Sequence, residues 1–372
     1  MQYTLNLTEN CNLNCNYCGL QQSRKYMSRE TAFKVIDLVM RRNSRTIGIG
    51  FYGGEPLLCK DRIYEVVEYT KKKKPEEKNV FFKLTTNGLL LDDEFFDFAK
   101  REGLLISLSL DGNKEMHNAN RCNHFGKGSY EKVLDIVPKI LSENRYASIL
   151  MTVAPNTVHN YYNGVKNIFD LGFMNIIPSI DYSGDWREEE IQELERQYKK
   201  ISKLYYEKTI SEDKFFFSPF DSKIDSHIRN KEYCKERCKL GYEQIVVDTN
   251  GNFYPCVQFI GDKKFIIGHI DSGIDEVKRK QIYIGSQKEH NECKSCAMKN
   301  RCLHSCACVN KYSTGNINEP SPVLCANERM LIPITDNIAE KLYKQRNGMF
   351  IQRHYNKDYP LISLIEDRER ER

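Results

Sequence analysis

The stretch "YTLNLTENCNLNCNYCGL", residues 3–20, decides how the chain is read. Its opening, residues 3–7, is a short run suited to a β-strand. The strand leads directly into a loop that places Cys11, Cys15 and Cys18 within eight residues. Thiolates at C-x3-C-x2-C are too close together to serve separate ions and read as one metal centre. A structural zinc site or an ordinary iron–sulfur cluster takes four protein ligands, and here there are three. Either a distant cysteine or histidine completes a zinc site, or a cubane [4Fe–4S] cluster keeps one iron open for a small molecule.

Working outward, a helix is predicted over 28–42 with Ser28 as its N-cap. Further short apolar, partly β-branched runs occupy 46–52, 80–86, 104–110, 147–153 and 174–180, separated by segments with helical spacing. Six strands, each followed by a connecting or helical segment, predict a repeated βα unit and a parallel sheet. Chemistry in such sheets sits on the loops beyond the strands' C-terminal ends, where the cysteine loop lies. From about 187 the alternation stops. "REEEIQELERQYKKISKLYYEK" reads as a strongly charged helical bridge. "IVVDTNGNFYPC" carries an Asn250-Gly251 hairpin turn. Past 326 the chain reads as helical to about 345, and "EDRERER" as a charged, disordered tail.

Composition narrows the function classes. With 372 residues, 40% hydrophobic and 29% charged, the chain has material for a large core and an appended domain. A net charge of +5 is small for this length and gives no argument for nucleic acid. The basic run at 71–74 is answered by Glu76 and Glu77 and reads as a solvated helix end. No stretch approaches the roughly 20 apolar residues that span a bilayer. "MQYTLNLTEN" lacks a secretory pattern. The expectation is a cytoplasmic protein with no membrane partner, in which fourteen cysteines point to metal or catalysis rather than disulfides.

The loop resembles the C-x3-C-x-aromatic-C signature of radical S-adenosylmethionine (SAM) enzymes, with Tyr17 as the aromatic residue. In that family SAM chelates the open iron through its amino and carboxylate groups, and the aromatic lies near the adenine. The resemblance implies an α/β fold: a partial (β/α)6 TIM-type barrel over 1–186. "FYGGEP" (51–56) resembles the family's GGEP motif, which implies that Gly53, Gly54 and Glu55 hold the SAM amino group. Glycines let backbone approach a ligand, and a carboxylate accepts from an ammonium. "TTNG" (85–88) and "SLDG" (109–112) end the next strands, and "HNANRCNHFGKGSY" (117–130) resembles the H-x3-R…G-x-G-S/T run. By that likeness Ser109 and Arg121 contact SAM. Asn87 and Asp111 read as ordinary turn residues, His117 as structural, and Cys59 and Cys122 as ordinary thiols.

The second half resembles the seven-cysteine SPASM domain. Cys238, Gly251 and Cys256 give C-x12-G-x4-C; Cys293, Cys296, Cys302, Cys306 and Cys325 give C-x2-C-x5-C-x3-C-x18-C. Cys234 adds an eighth thiolate. The resemblance implies two auxiliary [4Fe–4S] clusters, one on Cys234, Cys238, Cys256 and Cys306, the other on Cys293, Cys296, Cys302 and Cys325. With the SAM-binding cluster this makes three. Cys308 is left over, and a swap with Cys306 is conceivable. A zinc ribbon is the plainer reading of the C-x2-C-x5-C-x3-C run alone. The implied layout is a bridge over 187–233, a SPASM domain with a β-hairpin over 234–328, and a C-terminal helix with a tail over 329–372.

The family chemistry implied is reductive SAM cleavage to a 5′-deoxyadenosyl radical, which takes hydrogen from an unactivated substrate carbon. SPASM enzymes mostly modify peptides. Sulfatase-maturating enzymes share this layout but carry an aspartate base just after the hairpin cysteine. That position is Val257, in "YPCVQF", and a valine cannot take a proton. The expectation is therefore a maturase that installs a thioether or related crosslink in a Cys-containing peptide. Sulfatase maturation stands as the alternative. Peptide maturases often carry a leader-binding domain before the barrel. Here the sequence begins at the first strand, so the expectation is that a separate leader-binding protein, or the barrel with the 187–233 segment, takes that role. A flavodoxin- or ferredoxin-type donor is expected to supply electrons. A non-catalytic iron–sulfur or zinc protein is disfavoured, because GGEP, Ser109 and Arg121 have no purpose without SAM.

Overall fold

The computed structural model describes residues 1–229 and 238–370. One sheet dominates, built from β1 (Gln2–Asn6), β2 (Thr46–Tyr52), β3 (Asn79–Thr86), β4 (Leu105–Ser109), β5 (Ser148–Val153), β6 (Asn175–Ile180), β7 (Phe216–Phe217), β8 (Gln244–Val247) and β9 (Phe253–Tyr254). Its spatial order is β7-β6-β5-β4-β3-β2-β1-β8-β9. Every pairing is parallel except the terminal β8–β9 hairpin. The six expected strands stand within a residue or two of where the sequence put them. The helix Arg29–Arg41 is capped by Ser28, whose hydroxyl accepts from Thr31 N at 3.0 Å, and it buries Val35, Ile36 and Val39 on the sheet.

The register divides the strands into two faces. Tyr3, Leu5, Ile49, Phe51, Leu84, Leu108, Ile149 and Met151 form one buried apolar face, which packs with the helices into the main core. The opposite face carries Thr4, Asn6, Gly48, Gly50, Tyr52, Lys83, Thr85, Ser107, Ser109 and Thr152, with Phe81, Leu105, Leu150 and Ile177 among them. Parallel strands buried on both faces usually read as near-continuous apolar runs. Small and polar residues on this face mark a lumen kept for something other than packing.

Three expectations need correction. Beyond 187 the alternation continues: the helix Glu188–Ile210 crosses from β6 to the parallel β7. Leu194, Tyr198, Ile201 and Tyr205 form a buried stripe on it, which its many charges conceal in the sequence, and a two-residue strand leaves no periodicity to see. The cysteine-rich hairpin extends the main sheet, because β8 pairs with β1 from Gln2↔Gln244 to Leu5↔Val247. The charged tail forms the helix Tyr359–Arg370, held in part by Lys214 to Asp367 at 2.9 Å. No helix among the described residues is long and apolar enough to cross a membrane.

Candidate active site and auxiliary cysteine field

Cys11, Cys15 and Cys18 lie on the loop beyond the C-terminal end of β1, with Cys18 exposed and the other two half-buried. Cys18 N donates to the Cys15 carbonyl at 3.0 Å, which tightens the second half of the loop. Burial pushes the Cys11 thiol up to about 12 and the Cys15 thiol to about 11.

The GGEP strand end clamps this loop from the side. Gly54 N donates to Thr8 O at 2.8 Å and Glu55 N to Asn10 O at 2.9 Å. A Cβ at Gly53, whose φ is +148°, would lie 2.5 Å from Thr8 O, and one at Gly54 would collide with Asn10 O. The glycines thus allow close approach to the cysteine loop itself, a more local need than the ligand contact expected of them. Glu55 is buried and already serves three donors: Leu57 N (3.0 Å) and Thr86 Oγ1 (2.8 Å) at Oε1, and Asn87 N (2.8 Å) at Oε2. Burial pushes its carboxyl up to about 6, with those donors pulling the other way. It ties the ends of β2 and β3 together, and only the remaining acceptor capacity of Oε2 is left for an ammonium.

Asp111, read from the sequence as a turn residue, is the hub of the opposite wall. It has no exposed surface. Its carboxylate accepts from the Tyr17 hydroxyl, from Arg121 Nη2 at 3.1 Å and from Thr152 N at 2.8 Å. Arg121 Nε stands 2.9 Å from the second oxygen, an ion-pair approach rather than an aligned hydrogen bond. Burial alone would lower the Arg121 guanidinium, but Asp111 beside it reverses that and holds it charged. Arg121 also lies 5.5 Å over the Tyr17 ring. The expected SAM contact, Arg121, is thus anchored to Asp111, and Tyr17 shares that anchor.

His117 is structural, as expected. Its Nδ1 accepts from Asp111 N at 3.2 Å, so Nε2 carries the proton and donates to Ser129 Oγ at 2.9 Å, which donates to Arg121 O at 3.0 Å. Burial lowers this imidazole to about 4, with Arg121 adding to the effect. Ser109 ends β4 half-buried on the lumen face, as its assignment requires. Asn87 does more than turn the chain: its amide donates to Asn12 Oδ1 at 2.7 Å and approaches Cys11 Sγ at 3.9 Å.

The clearest mark of a ligand is Asn6, which sequence reading overlooked. It is fully buried, and neither amide atom has a hydrogen-bond partner. An unsatisfied buried amide is costly. This one points along the lumen face beside Gly53, at the base of the cysteine loop, where a polar ligand would complete it. The residues present therefore fit a bound SAM. Its signal in the sequence was a second polar residue alternating with apolar ones in "YTLNL".

In the second field, Cys238, Cys256 and Cys308 pack against a small apolar cluster of Leu240, Val246, Tyr254, Phe259, Phe265 and Ala307. Cys308 Sγ lies 3.5 Å from Cys306 Sγ and also hydrogen-bonds the Cys256 thiol. Three cysteines expected on the first auxiliary cluster, Cys238, Cys256 and Cys306, are thus gathered with Cys308 among them. Cys234 lies outside the described residues. Burial raises the Cys293 thiol, as do neighbouring Cys296 and Cys325, so those three members of the second set share a neighbourhood. Among the described residues, no group of three or more His, Cys, Asp or Glu is close enough to hold a single ion. Val257 packs against the same apolar cluster.

The two fields meet at Tyr52, the end of β2. Burial raises its hydroxyl to about 12, with Cys18 of the first field and Cys256 of the second both contributing. Tyr312, on the helix Ala307–Thr314, places its hydroxyl where a side chain on Gly19 would be, and closes the seam from the other side.

A parallel βα sheet with a polar lumen, three cysteines beyond its first strand and a cysteine-rich hairpin on its edge defines a radical SAM fold. The chain matches the radical SAM superfamily over residues 5–162 and the SPASM iron–sulfur cluster-binding domain over 238–297. It carries the radical SAM and SPASM domains, which imply SAM, a SAM-binding [4Fe–4S] cluster and auxiliary clusters as cofactors. Among its relatives is the cysteine-type anaerobic sulfatase-maturating enzyme of Clostridium novyi, 26% identical over 80% of this chain and 85% of that one. A radical SAM cyclopropyl synthase, TigE of Paramaledivibacter caminithermalis, is 24% identical over 42% of this chain and 36% of its own. In three dimensions the chain is similar to native anSMEcpe solved with bound AdoMet and Cp18Cys peptide. The TM-score is 0.79 at 22% identity, covering 91% of this chain and 99% of that one. The ranking drawn from Val257, crosslinking before sulfatase maturation, is reversed by the relatives: similarity over 80% of this chain and 85% of a cysteine-type maturase favours sulfatase maturation.

Proposed function

We propose that this chain oxidises a side chain of a peptide or protein substrate, as sulfatase-maturating enzymes do, with a cysteine as the residue attacked. The observation that carries this reading is the similarity to a cysteine-type maturase over 80% of this chain and 85% of that one. When bound, SAM and its cluster supply a radical able to take hydrogen from an unactivated carbon. The chain's own residues do the rest. Cys11, Cys15 and Cys18 hold the cluster. Asn6, Ser109 and the Asp111-anchored Arg121 orient SAM, and the backbone at Gly53 and Gly54 sets the loop against them. Cys234, Cys238, Cys256 and Cys306 hold one auxiliary cluster; Cys293, Cys296, Cys302 and Cys325 hold the other. Oxidation of a substrate thiol also needs a proton acceptor, and Val257 is not one. Asp181, just beyond β6, is a half-buried carboxylate whose Oδ1 accepts from Ser183 N at 3.1 Å and Ser183 Oγ at 2.6 Å, and its second oxygen takes that role.

The test is anaerobic reconstitution followed by incubation with SAM, dithionite and a cysteine-containing sulfatase peptide. About twelve irons per chain, deoxyadenosine and formylglycine are expected, with Asp181→Asn keeping SAM cleavage and losing product. About four irons and no deoxyadenosine would sink the reading. A second reading, crosslinking of a peptide to a thioether, is favoured by Val257, whose side chain serves an apolar cluster where the maturases carry their base. A dehydrogenated, crosslinked peptide in place of formylglycine would establish it.

A further inference from the structure

The lumen face has a lower half, toward the N-terminal ends of the strands, that the site described so far does not use. Among the described residues, Lys83 is the only charged residue on this face of β1–β6. It stands opposite Gly50 on β2 and Leu105 on β4, two residues below Thr85 on its own strand. No hydrogen bond or ion pair to a described residue engages its ammonium. Burial lowers the pKa of that ammonium from its ordinary value, and no carboxylate offsets the effect.

The surroundings of Lys83 are open on the same side. β3 and β4 are interior strands with one face packed into the main core, yet Phe81 is 56% exposed and Leu105 51%. Their free surface therefore faces the lumen. In register, Gly50 lies between Thr4 on β1 and Lys83 on β3. Thr4 Oγ1 and Gln2 Nε2 come within 3.2 and 3.4 Å of the point where a Cβ on Gly50 would stand. The Gln2 amide and Lys83 thus flank the gap that Gly50 leaves, above an apolar floor.

We propose that the lower lumen is a subsite for the peptide substrate, in which Lys83 and the Gln2 amide take the carboxylate of an aspartate or glutamate side chain. Phe81 and Leu105 take the apolar residue beside it. An ammonium and an amide aimed at one carboxylate give charge-assisted hydrogen bonds, stronger in a half-buried lumen than in bulk water. Strands rise about 3.3 Å per residue, so Lys83 lies about 7 Å below Thr85. An extended peptide covers that span in about two residues, which sets the acidic residue about two or three positions from the cysteine attacked. The subsite is continuous with the strand-end site through Thr85 and Ser109, and the inference rests on reading the chain as a peptide-modifying enzyme.

The experiment measures, by fluorescence anisotropy, binding of labelled cysteine-containing sulfatase peptides to the reconstituted, SAM-bound enzyme. One series carries a glutamate at successive positions on either side of the cysteine, and a twin series carries glutamine there. The wild type is expected to bind the best glutamate peptide about tenfold more tightly than its glutamine twin. Lys83→Met should erase that difference while leaving the affinity for the glutamine peptide as it was, and Lys83→Arg should restore it. Equal affinity of the wild type for the two series would overturn the subsite, even with formylglycine formed. So would a loss in Lys83→Met that falls equally on both series. A glutamate preference with no oxidised or crosslinked product would overturn the proposed function and leave the subsite standing. Binding of neither series would overturn both.

Discussion

The two cysteine fields use the same side chain in opposite surroundings. Cys11, Cys15 and Cys18 border a lumen of small and polar residues, with the unpartnered Asn6 amide at its edge and the Asp111 hub as a wall. Cys238, Cys256 and Cys308 are backed by leucine, valine and aromatic rings, and Cys308 touches Cys306. A polar lumen with an unsatisfied amide is suited to admit a ligand; an apolar backing filled with thiols is suited to exclude one. The difference is the one expected between a site that binds a substrate-like cofactor and sites whose clusters are closed by protein thiolates.

The comparison can be broken most sharply at Cys15. Cys15→Ala is expected to abolish deoxyadenosine formation and to remove about four of about twelve irons, measured by product chromatography and iron assay. Loss of the auxiliary signals in electron paramagnetic resonance at the same time would show that the fields are not independent. Next comes the boundary between ligand and neighbour. Cys306→Ala should lose about four irons and Cys308→Ala none; the reverse result would move Cys308 into the ligand set.

The polar wall can then be probed by Asp111→Ala, which leaves the buried Arg121 without its anion. A loss of about 3–5 kcal/mol in urea unfolding is expected, with no counterpart for a surface pair such as Lys34–Glu30, where neutralisation should change little. The smallest effect concerns pH. His117 is buried neutral, its folded pKa of about 4 lying below the ordinary 6.5. The unfolded chain therefore binds the proton first, and stability is lost as pH falls from 6.5 toward 4, by on the order of 3 kcal/mol at the limit. Urea midpoints between pH 7.5 and 5 should shift less in His117→Gln than in the wild type.

Much of this was legible in the sequence because it is local. Strand runs, the Ser28 cap and the cysteine spacings each depend on residues close along the chain, and β1–β6 fall where those patterns put them. What was not legible depends on long-range pairing or on burial. Nothing in "QIVV" says that it will lie parallel to β1, and Phe216-Phe217 is too short to show a period. Asp-Gly has the same spelling whether the aspartate turns a surface loop or, as here, anchors an arginine and a tyrosine. Asn6 shows its significance only once its neighbours are seen to leave it unpartnered.

The pairing of β8 with β1 also sets a timetable. Residue 2 meets residue 244, so the outer edge of β1 waits for roughly 240 further residues to be synthesised. At about 5–20 residues per second that is on the order of ten to fifty seconds. During that interval the strand bearing the first three cysteines has an open flank, and Tyr312 has not yet closed over Gly19. The growing chain thus carries an unpaired edge on its first strand until the cysteine-rich hairpin arrives to cover it.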